Sequence, residues 1–463
     1  MDRPVRRLFL FFSLLFVALL LQLTYVQVWA APQLKVDPSN TRAIQEEMQV
    51  ERGVIVSADD VELAVNEERD GYFWRDYPEG GLTSPWLGYN SLQYGRAGIE
   101  RVYNEDLSGQ SGILGVTGLW DQITPNPHRG ADLKLTVKVA VQRVAAEALG
   151  KRKGAVVALD PRTGAVLAMV SYPRYDPNDI DEIWEEISSD EDSPLLNRAT
   201  QGLYPPGSVF KTIVAAAALE TGAVTPATRF DDTGTFTAEG YVVTNYDDKV
   251  YGDHDFTRAF AGSINTTFAK LGVEMGAVTL SGYAAAFGFG EEPAWAMGGA
   301  ASRFPDPDEM DEAHVAQASF GQGEVLATPL EMALTAMAVA NGGKIMKPYI
   351  VSEVSDNENV LRRADPEVWL EPISRETAAT LRSLMVEVVN SGTGTAAALS
   401  GVQVAGKTGT AEVAEAESHA WFAGFAPADD PQVVVAVLVE NVGTGGGVAA
   451  PIARKVIAAA LGR

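Results

Sequence analysis

The 463-residue chain contains no cysteine. Disulfides and thiolate metal sites are thereby excluded. Histidine is scarce as well: His128, His254, His314 and His419 lie far apart with no metal-ligand spacing. No metal site and no cofactor is expected. Basic residues are few, with 36 Lys and Arg against 61 Asp and Glu and a formal net charge of −25. A balance that acidic argues against a nucleic-acid partner, because a phosphate backbone demands a basic face. One segment lacks charge altogether. Residues 8–28 carry none, and Arg3, Arg6 and Arg7 precede them. That length matches the roughly 20 residues a helix needs to cross a bilayer core. The arginines predict a cytoplasmic N-terminus, a single-pass anchor in the cell membrane and an extracytoplasmic remainder. A cleaved signal peptide is the competing reading, since Ala30 and Ala31 are small, but the run exceeds the roughly 7–15-residue core of a signal sequence. Gln22 and Gln27 fit either a helix–helix face or the outer interface of the membrane.

The hydrophobic content of 46% and charged content of 21% suit a folded protein, and the length predicts two or three domains. The expected division is a leader and transmembrane anchor at 1–31, a strand-rich, non-catalytic membrane-proximal module with a linker helix at 32–150, and a catalytic domain at 151–463. Turn signals at 79–81 and the apolar run 53–56 characterise the module, and 124–127 reads as a linker. Residues 133–149 show helical spacing that ends at Gly150. Residues 155–159 and 165–170 read as strands joined by a turn at 160–164. The acidic stretch 179–192 reads as a solvated helix or loop. A helix is predicted over 208–221. Another starts with a capping box at Thr328-Pro329-Leu330-Glu331 and stops at 341–343. Residues 432–440 form an apolar strand and 450–461 a final helix. Strands at both ends with helices between them predict an α+β fold with one mainly antiparallel sheet flanked by helices.

Three short elements carry chemistry. In Pro206-Gly207-Ser208-Val209-Phe210-Lys211 the serine stands where a helix begins, so free N–H groups favour negative charge near it. Lys211, three residues on, shares its helical face. A serine hydroxyl is a weak nucleophile that needs an adjacent base, and a desolvated lysine beside another cation can lose its proton and serve. In Gly262-Ser263-Ile264-Asn265 a hydroxyl can relay a proton, and a carboxamide can hold both a lysine and a substrate carbonyl. Residues 402–410 alternate as a strand up to Ala405. There Lys407 offers charge to a substrate carboxylate, Thr408 and Thr410 offer hydroxyl donors, and Gly409 leaves room for a substrate backbone.

With these three motifs in order the sequence resembles the penicillin-binding protein and serine β-lactamase superfamily. Ser-Ile-Asn in the middle motif, in place of Ser-Asp-Asn, is similar to the transpeptidases rather than the class A β-lactamases. Residues 155–173, 204–208, 321–323 with Thr328-Pro329, 419–425 and 94–100 resemble further segments of class B penicillin-binding proteins. The resemblance spans nearly the whole chain. It implies a penicillin-binding transpeptidase fold on a strand-rich pedestal. It also implies a serine D,D-transpeptidase that cross-links peptidoglycan stem peptides ending in D-Ala-D-Ala and is acylated by β-lactam antibiotics. By position it makes Ser208 the nucleophile, Lys211 the base and Ser263 the proton shuttle. Asn265 would bind the acyl side chain, and Lys407, Thr408 and Thr410 the terminal carboxylate. The backbone N–H groups of Ser208 and Thr410 would form the oxyanion hole. The implied partner is a membrane glycosyltransferase of the shape, elongation, division and sporulation family.

Other readings compete. Residues 401–408 formally match a P-loop, but its intervening residues read as a strand and Gly409 follows at once, where a P-loop needs a flexible loop and a helix. The glycine cluster 443–447 reads as a sheet-to-helix turn. A β-lactamase is disfavoured because no Glu-x-x-Leu-Asn pattern follows Ser263. A D,D-carboxypeptidase is compatible with the same motifs. A β-lactam sensor should carry a cytoplasmic output domain, for which seven residues before Leu8 do not suffice. A silent cell-wall scaffold would be expected to have lost Ser208 or Lys211.

Overall fold

A computed structural model describes residues 3–25, 48–109, 129–356, 359–413 and 416–463. Gln27, Ala30, Ala31, His128 and the 124–127 segment lie outside these residues. The apolar run forms a helix, Arg3–Thr24, with no buried residue. At 1.5 Å per residue its length is about 33 Å, enough to cross a hydrocarbon core of about 30 Å.

The sheet of the N-terminal module has six strands, in the order Asn359–Arg363, Val351–Asp356, Asp132–Leu135, Ile55–Val56, Glu62–Arg69, Tyr72–Asp76. Two of them arrive from far along the chain, so packing and chain order divide the molecule differently. Residues 133–149 are correspondingly not one helix. Asp132–Leu135 is a strand paired with Val351–Asp356, and the helix is Val139–Leu149. Asp59 sets its start, accepting from Val139 N (2.9 Å) and Ala140 N (3.1 Å) in place of a local cap. Beneath the sheet lies Glu100, fully buried, bonded to Arg52 (2.8 Å) and Arg75 (2.6 Å). Burial by itself would raise this carboxyl, but the two guanidiniums hold it below its ordinary value.

The catalytic sheet has five strands, all neighbours antiparallel, in the order Ala405–Val413, Ala416–Ala426, Val433–Val439, Gly154–Leu159, Val166–Tyr172. Its central strand Val433–Val439 is apolar and buried on both faces. Val435 and Val437 pack under the helices Val139–Leu149 and Ala449–Ala460, while Val434, Ala436 and Leu438 face the helix Pro329–Ala340. Every residue of Pro329–Ala340 is buried, which is why its sequence is apolar all round. The expected capping box forms only in half. Thr328 Oγ1 accepts from Glu331 N (3.1 Å), but the Thr328 N–H donates to Ser302 Oγ (3.2 Å). Glu331 Oε1 is buried with no partner among the described residues, and burial raises its carboxyl to about 8.

The acidic stretch also does more than meet solvent. Residues Ile180–Ser189 form a helix whose Trp184 stacks on Tyr94 of the N-terminal module, with ring centroids 4.5 Å apart. Its apolar face closes a cluster of Tyr89, Tyr175 and Ile180, which brackets the two parts of the molecule together.

Candidate active site

The turn bearing Ser208 is pinned from three sides. Tyr204 N donates to Ala327 O (3.0 Å), Gly207 N to Gly321 O (2.9 Å) and Trp421 Nε1 to Pro205 O (2.9 Å). Gly321 is required there: its φ is +73°, and a Cβ would stand 2.1 Å from Gly207 O. Ser208 sits in a 3-10 turn, Gly207–Val209, before the α-helix Lys211–Glu220. In such a turn residues three apart eclipse, so Ser208 and Lys211 share a side. Lys211 is nonetheless not bonded to Ser208. Its Nζ donates to Ser263 O (2.8 Å), Ser263 Oγ (3.3 Å) and Asn265 Oδ1 (2.7 Å). Ser208 is half-buried, and its hydroxyl has no hydrogen-bond partner among the described residues. Catalytic hydrogen bonds of this kind are often loose before substrate arrives.

Ser263 holds a left-handed backbone, φ +57°, at the turn between the helices Phe256–Ala261 and Asn265–Met275. A non-glycine residue in that region costs about 1–3 kcal/mol. In this conformation both its carbonyl and its hydroxyl meet Lys211. The hydroxyl also accepts from Lys407 Nζ (2.9 Å), so one serine bridges two amines. Lys211 and Lys407 are both completely buried, each over an aromatic ring: Phe268 at 5.3 Å and Phe260 at 5.8 Å. Burial, and then the neighbouring Lys407, press Lys211 well below its ordinary range. Burial lowers Lys407 to about 7. No carboxylate pairs with either lysine among the described residues. Two ammonium groups on one hydroxyl in a dry site are unfavourable, which favours loss of a proton from the pair.

The strand Ala405–Val413 completes the site, with some departures from expectation. Lys407 lies buried against Ser263 and Thr408 O (3.0 Å) rather than standing free as a surface cation. Gly409 does not leave space for substrate on its Cα side: a Cβ there would meet Val209 at 2.8 Å and Pro206 O at 2.9 Å. Its smallness instead lets the strand press against the nucleophile turn. From the other face comes the glycine cluster, where a Cβ on Gly445 would lie 2.3 Å from Gly409 O. Thr408 Oγ1 contacts Thr393 Oγ1, and Thr410 Oγ1 accepts from Gly445 N (3.4 Å). The backbone of Thr410 closely approaches the turn, since a Cβ on Gly207 would be 2.9 Å from Thr410 O. The structure thus gathers Ser208, Lys211, Ser263, Asn265, Lys407 and Thr410 in one place. Phe260, Phe268 and Thr393 have no local motif and were not singled out in the sequence, and Gly445 was noted only within a sheet-to-helix turn.

This geometry can activate a hydroxyl with a neutral amine and pass a proton through a second hydroxyl. Comparison with known proteins places the chain in a family. Residues 154–458 match the family described as Penicillin binding protein transpeptidase domain, and residues 52–133 that described as Penicillin binding protein A dimerisation domain. The peptidoglycan D,D-transpeptidase PbpA of Mycolicibacterium smegmatis is 39% identical over 100% of this chain and 99% of its own. PbpA of Mycobacterium tuberculosis H37Rv is 37% identical over 100% and 99%. Among solved structures, penicillin-binding protein A from M. tuberculosis as a penicillin G acyl-enzyme complex superposes with TM-score 0.83 at 36% identity, covering 89% of this chain and 100% of that one. A D,D-transpeptidase domain from Eggerthella lenta gives TM-score 0.82 at 38% identity, covering 89% and 99%.

Proposed function

The chain belongs to the penicillin-binding protein transpeptidase family, and on that premise we propose that Ser208 is the nucleophile with which this class B D,D-transpeptidase cross-links peptidoglycan. The observation that carries the assignment is the meeting of Lys211 and Lys407 on Ser263 Oγ beside the Ser208 turn. Neutral Lys211 takes the Ser208 hydroxyl proton as the oxygen attacks the carbonyl between two D-alanines. The N–H groups of Ser208 and Thr410 stabilise the charge on the tetrahedral oxygen. The proton passes through Ser263 to the departing D-alanine amine, leaving an ester on Ser208. An amine of a second stem peptide attacks that ester, and the amide forms as Ser208 recovers its proton. Asn265 aligns the acyl chain, and Lys407, Thr408 and Thr410 receive the terminal carboxylate. A β-lactam enters the same path and stays as the acyl-enzyme, as penicillin G does on the M. tuberculosis relative.

The helix Arg3–Thr24 supports a membrane-anchored protein. Its leading arginines support a cytoplasmic N-terminus with catalysis outside. In the proposed division, 1–31 anchors, 32–150 is the membrane-proximal module and 151–463 carries catalysis. A transpeptidase cross-links strands that a polymerase supplies, and this supports a complex with a membrane glycosyltransferase of the shape, elongation, division and sporulation family. Replacing residues 8–28 by an unrelated apolar span should weaken co-purification with that polymerase while Ser208 still acylates; unchanged co-purification, also after substitutions on the surface of the module, would show the anchor to be only a tether. The reaction itself is tested with a chromogenic cephalosporin. One equivalent should be consumed quickly, followed by slow release, whereas rapid multiple turnover would favour a β-lactamase.

A further inference from the structure

The amide of Asn265 touches Lys211, yet nothing in its own turn fixes which way it faces. Its Nδ2 donates to Thr244 O (3.1 Å) while its Oδ1 accepts from Lys211. Reversing the amide would set Oδ1 against the Thr244 carbonyl, acceptor against acceptor, a mismatch whatever the charge on Lys211. Thr244 therefore selects the orientation, provided that it stays in place.

Thr244 ends a strand, Tyr241–Thr244, in an excursion that leaves the body at residue 229 and rejoins it at Asp255. Four of the excursion's large apolar side chains, Tyr241, Val242, Tyr246 and Val250, are exposed, so hydrophobic packing alone does not hold it. Ala238 and Val243 cluster with Ala269 and Phe320 of the body, and the polar anchor is Asp232, only 4% exposed. Its Oδ1 accepts from Thr266 Oγ1 (2.7 Å) and Gly234 N (3.0 Å), and its Oδ2 from Tyr251 N (2.8 Å) and Asn245 Nδ2 (3.0 Å). Buried Asn245 in turn accepts from Thr266 N (3.1 Å) through Oδ1 and donates to Lys249 O (2.9 Å). Residues 244–245 are thereby fastened to 265–266. Burial alone would raise the Asp232 carboxyl, but the donors from Thr266, Tyr251, Gly234 and Asn245 keep it below its ordinary value, hence ionised. No cation pairs with it among the described residues. A buried carboxylate satisfied by four neutral donors from three chain segments is a sharply directional clamp.

Resting on the assignment of Ser208 and Lys211 above, we propose that Asp232 is a positioning residue for acylation: through Asn245 and Thr266 it fixes Thr244, and Thr244 fixes the Asn265 amide on Lys211. Asp232→Asn keeps shape and volume but sets an NH2 against a backbone N–H, of Gly234 or of Tyr251, whichever way it turns. The test measures the second-order rate of acylation by a penicillin in the full chain in detergent, for wild type, Asp232→Asn, Asn265→Ala and the double variant. Asp232→Asn should slow acylation roughly 10- to 100-fold, the scale of a misplaced catalytic group. Because it acts through Asn265, the double variant should be no more than about 3-fold slower than Asn265→Ala alone. A general loss of structure would instead multiply the two effects. Thr266→Val, which removes one of the four donors, gives a smaller loss with the same dependence on Asn265, and serves if Asp232→Asn does not fold. Asp253→Ala, on the exposed face of the same excursion, should acylate like wild type. Folded Asp232→Asn or Thr266→Val with wild-type rates, or effects that multiply, would overturn the positioning role and leave the Ser208 assignment standing. Absence of label on wild-type Ser208 would overturn both.

Discussion

Glu100 and Lys211 are both completely buried, and their surroundings treat charge in opposite ways. Around Glu100, Arg52 and Arg75 approach within 2.8 and 2.6 Å, and the carboxylate remains ionised. Around Lys211 there is a carbonyl, a hydroxyl and an amide, with a second amine, Lys407, on the same hydroxyl. The first arrangement fixes a charge and with it the geometry of the module. The second makes a charge costly and so keeps a proton movable. Burial is common to both; the partners decide whether a buried group is structural or reactive.

The comparison can be broken most severely at the reactive end. Lys211→Arg restores a permanent charge in place of a deprotonatable one. Acylation should fall by roughly 10²–10⁴-fold, the contribution of a general base, with the thermal transition retained. Near-normal labelling of this variant at neutral pH would remove Lys211 from the role. At the structural end, Glu100→Gln removes the carboxylate that Arg52 and Arg75 share. Denaturant unfolding should show a loss of about 3–5 kcal/mol, while any folded fraction acylates at the wild-type rate. A neutral effect on stability would show that the triad is dispensable.

The lysine pair also sets a pH dependence. Acylation needs neutral Lys211, so its rate should fall on the acid side. Lys407→Met removes the second cause of the Lys211 depression, after burial, so the acid limb should move to higher pH, whatever happens to the absolute rate. A limb that stays in place would mean that the two amines do not interact. Stability follows the same groups. Folded Lys407 titrates at about 7 and unfolded lysine at 10.5, so the folded state binds fewer protons between these values. Its burial therefore costs stability that is regained as pH rises from about 7 toward 10.5. The smallest effect concerns Glu331, with the opposite sign. Its folded value of about 8 stands above the unfolded 4.5, so stability is lost as pH rises through that window. Glu331→Gln should raise the melting temperature little at pH 5 and more at pH 8, at roughly 2–4 °C per kcal/mol. An equal gain at both pH values would contradict a neutral buried carboxyl.

What the sequence disclosed followed the range of each interaction. Ser208 with Lys211, and Ser263 with Asn265, lie within one turn of each other; each pair alone is common, and it was the three motifs in order, with the family resemblance, that picked them out. The apolar strand Val433–Val439 and the anchor helix were legible from composition alone. Legibility ended where partners are remote. Nothing near Asp132 shows that residues 351–356 will pair with it, so a strand was read as the start of a helix. The reciprocal half of the capping box at Glu331 was lost to Ser302, 26 residues away from Thr328. Asp232 reaches Thr266 across 34 residues with a type of side chain that most loops contain. Gly409 was correctly marked as needing smallness, but its neighbour is the protein's own Pro206 carbonyl rather than a substrate.

The central claim is that the buried amine pair beside Ser208 makes that hydroxyl the nucleophile. The direct measurement is intact mass of the full chain after exposure to penicillin, followed by peptide mapping. The account predicts one added penicillin per chain, located on Ser208 and absent from Ser208→Ala. An adduct on another residue, or none on well-folded wild-type protein, would contradict it.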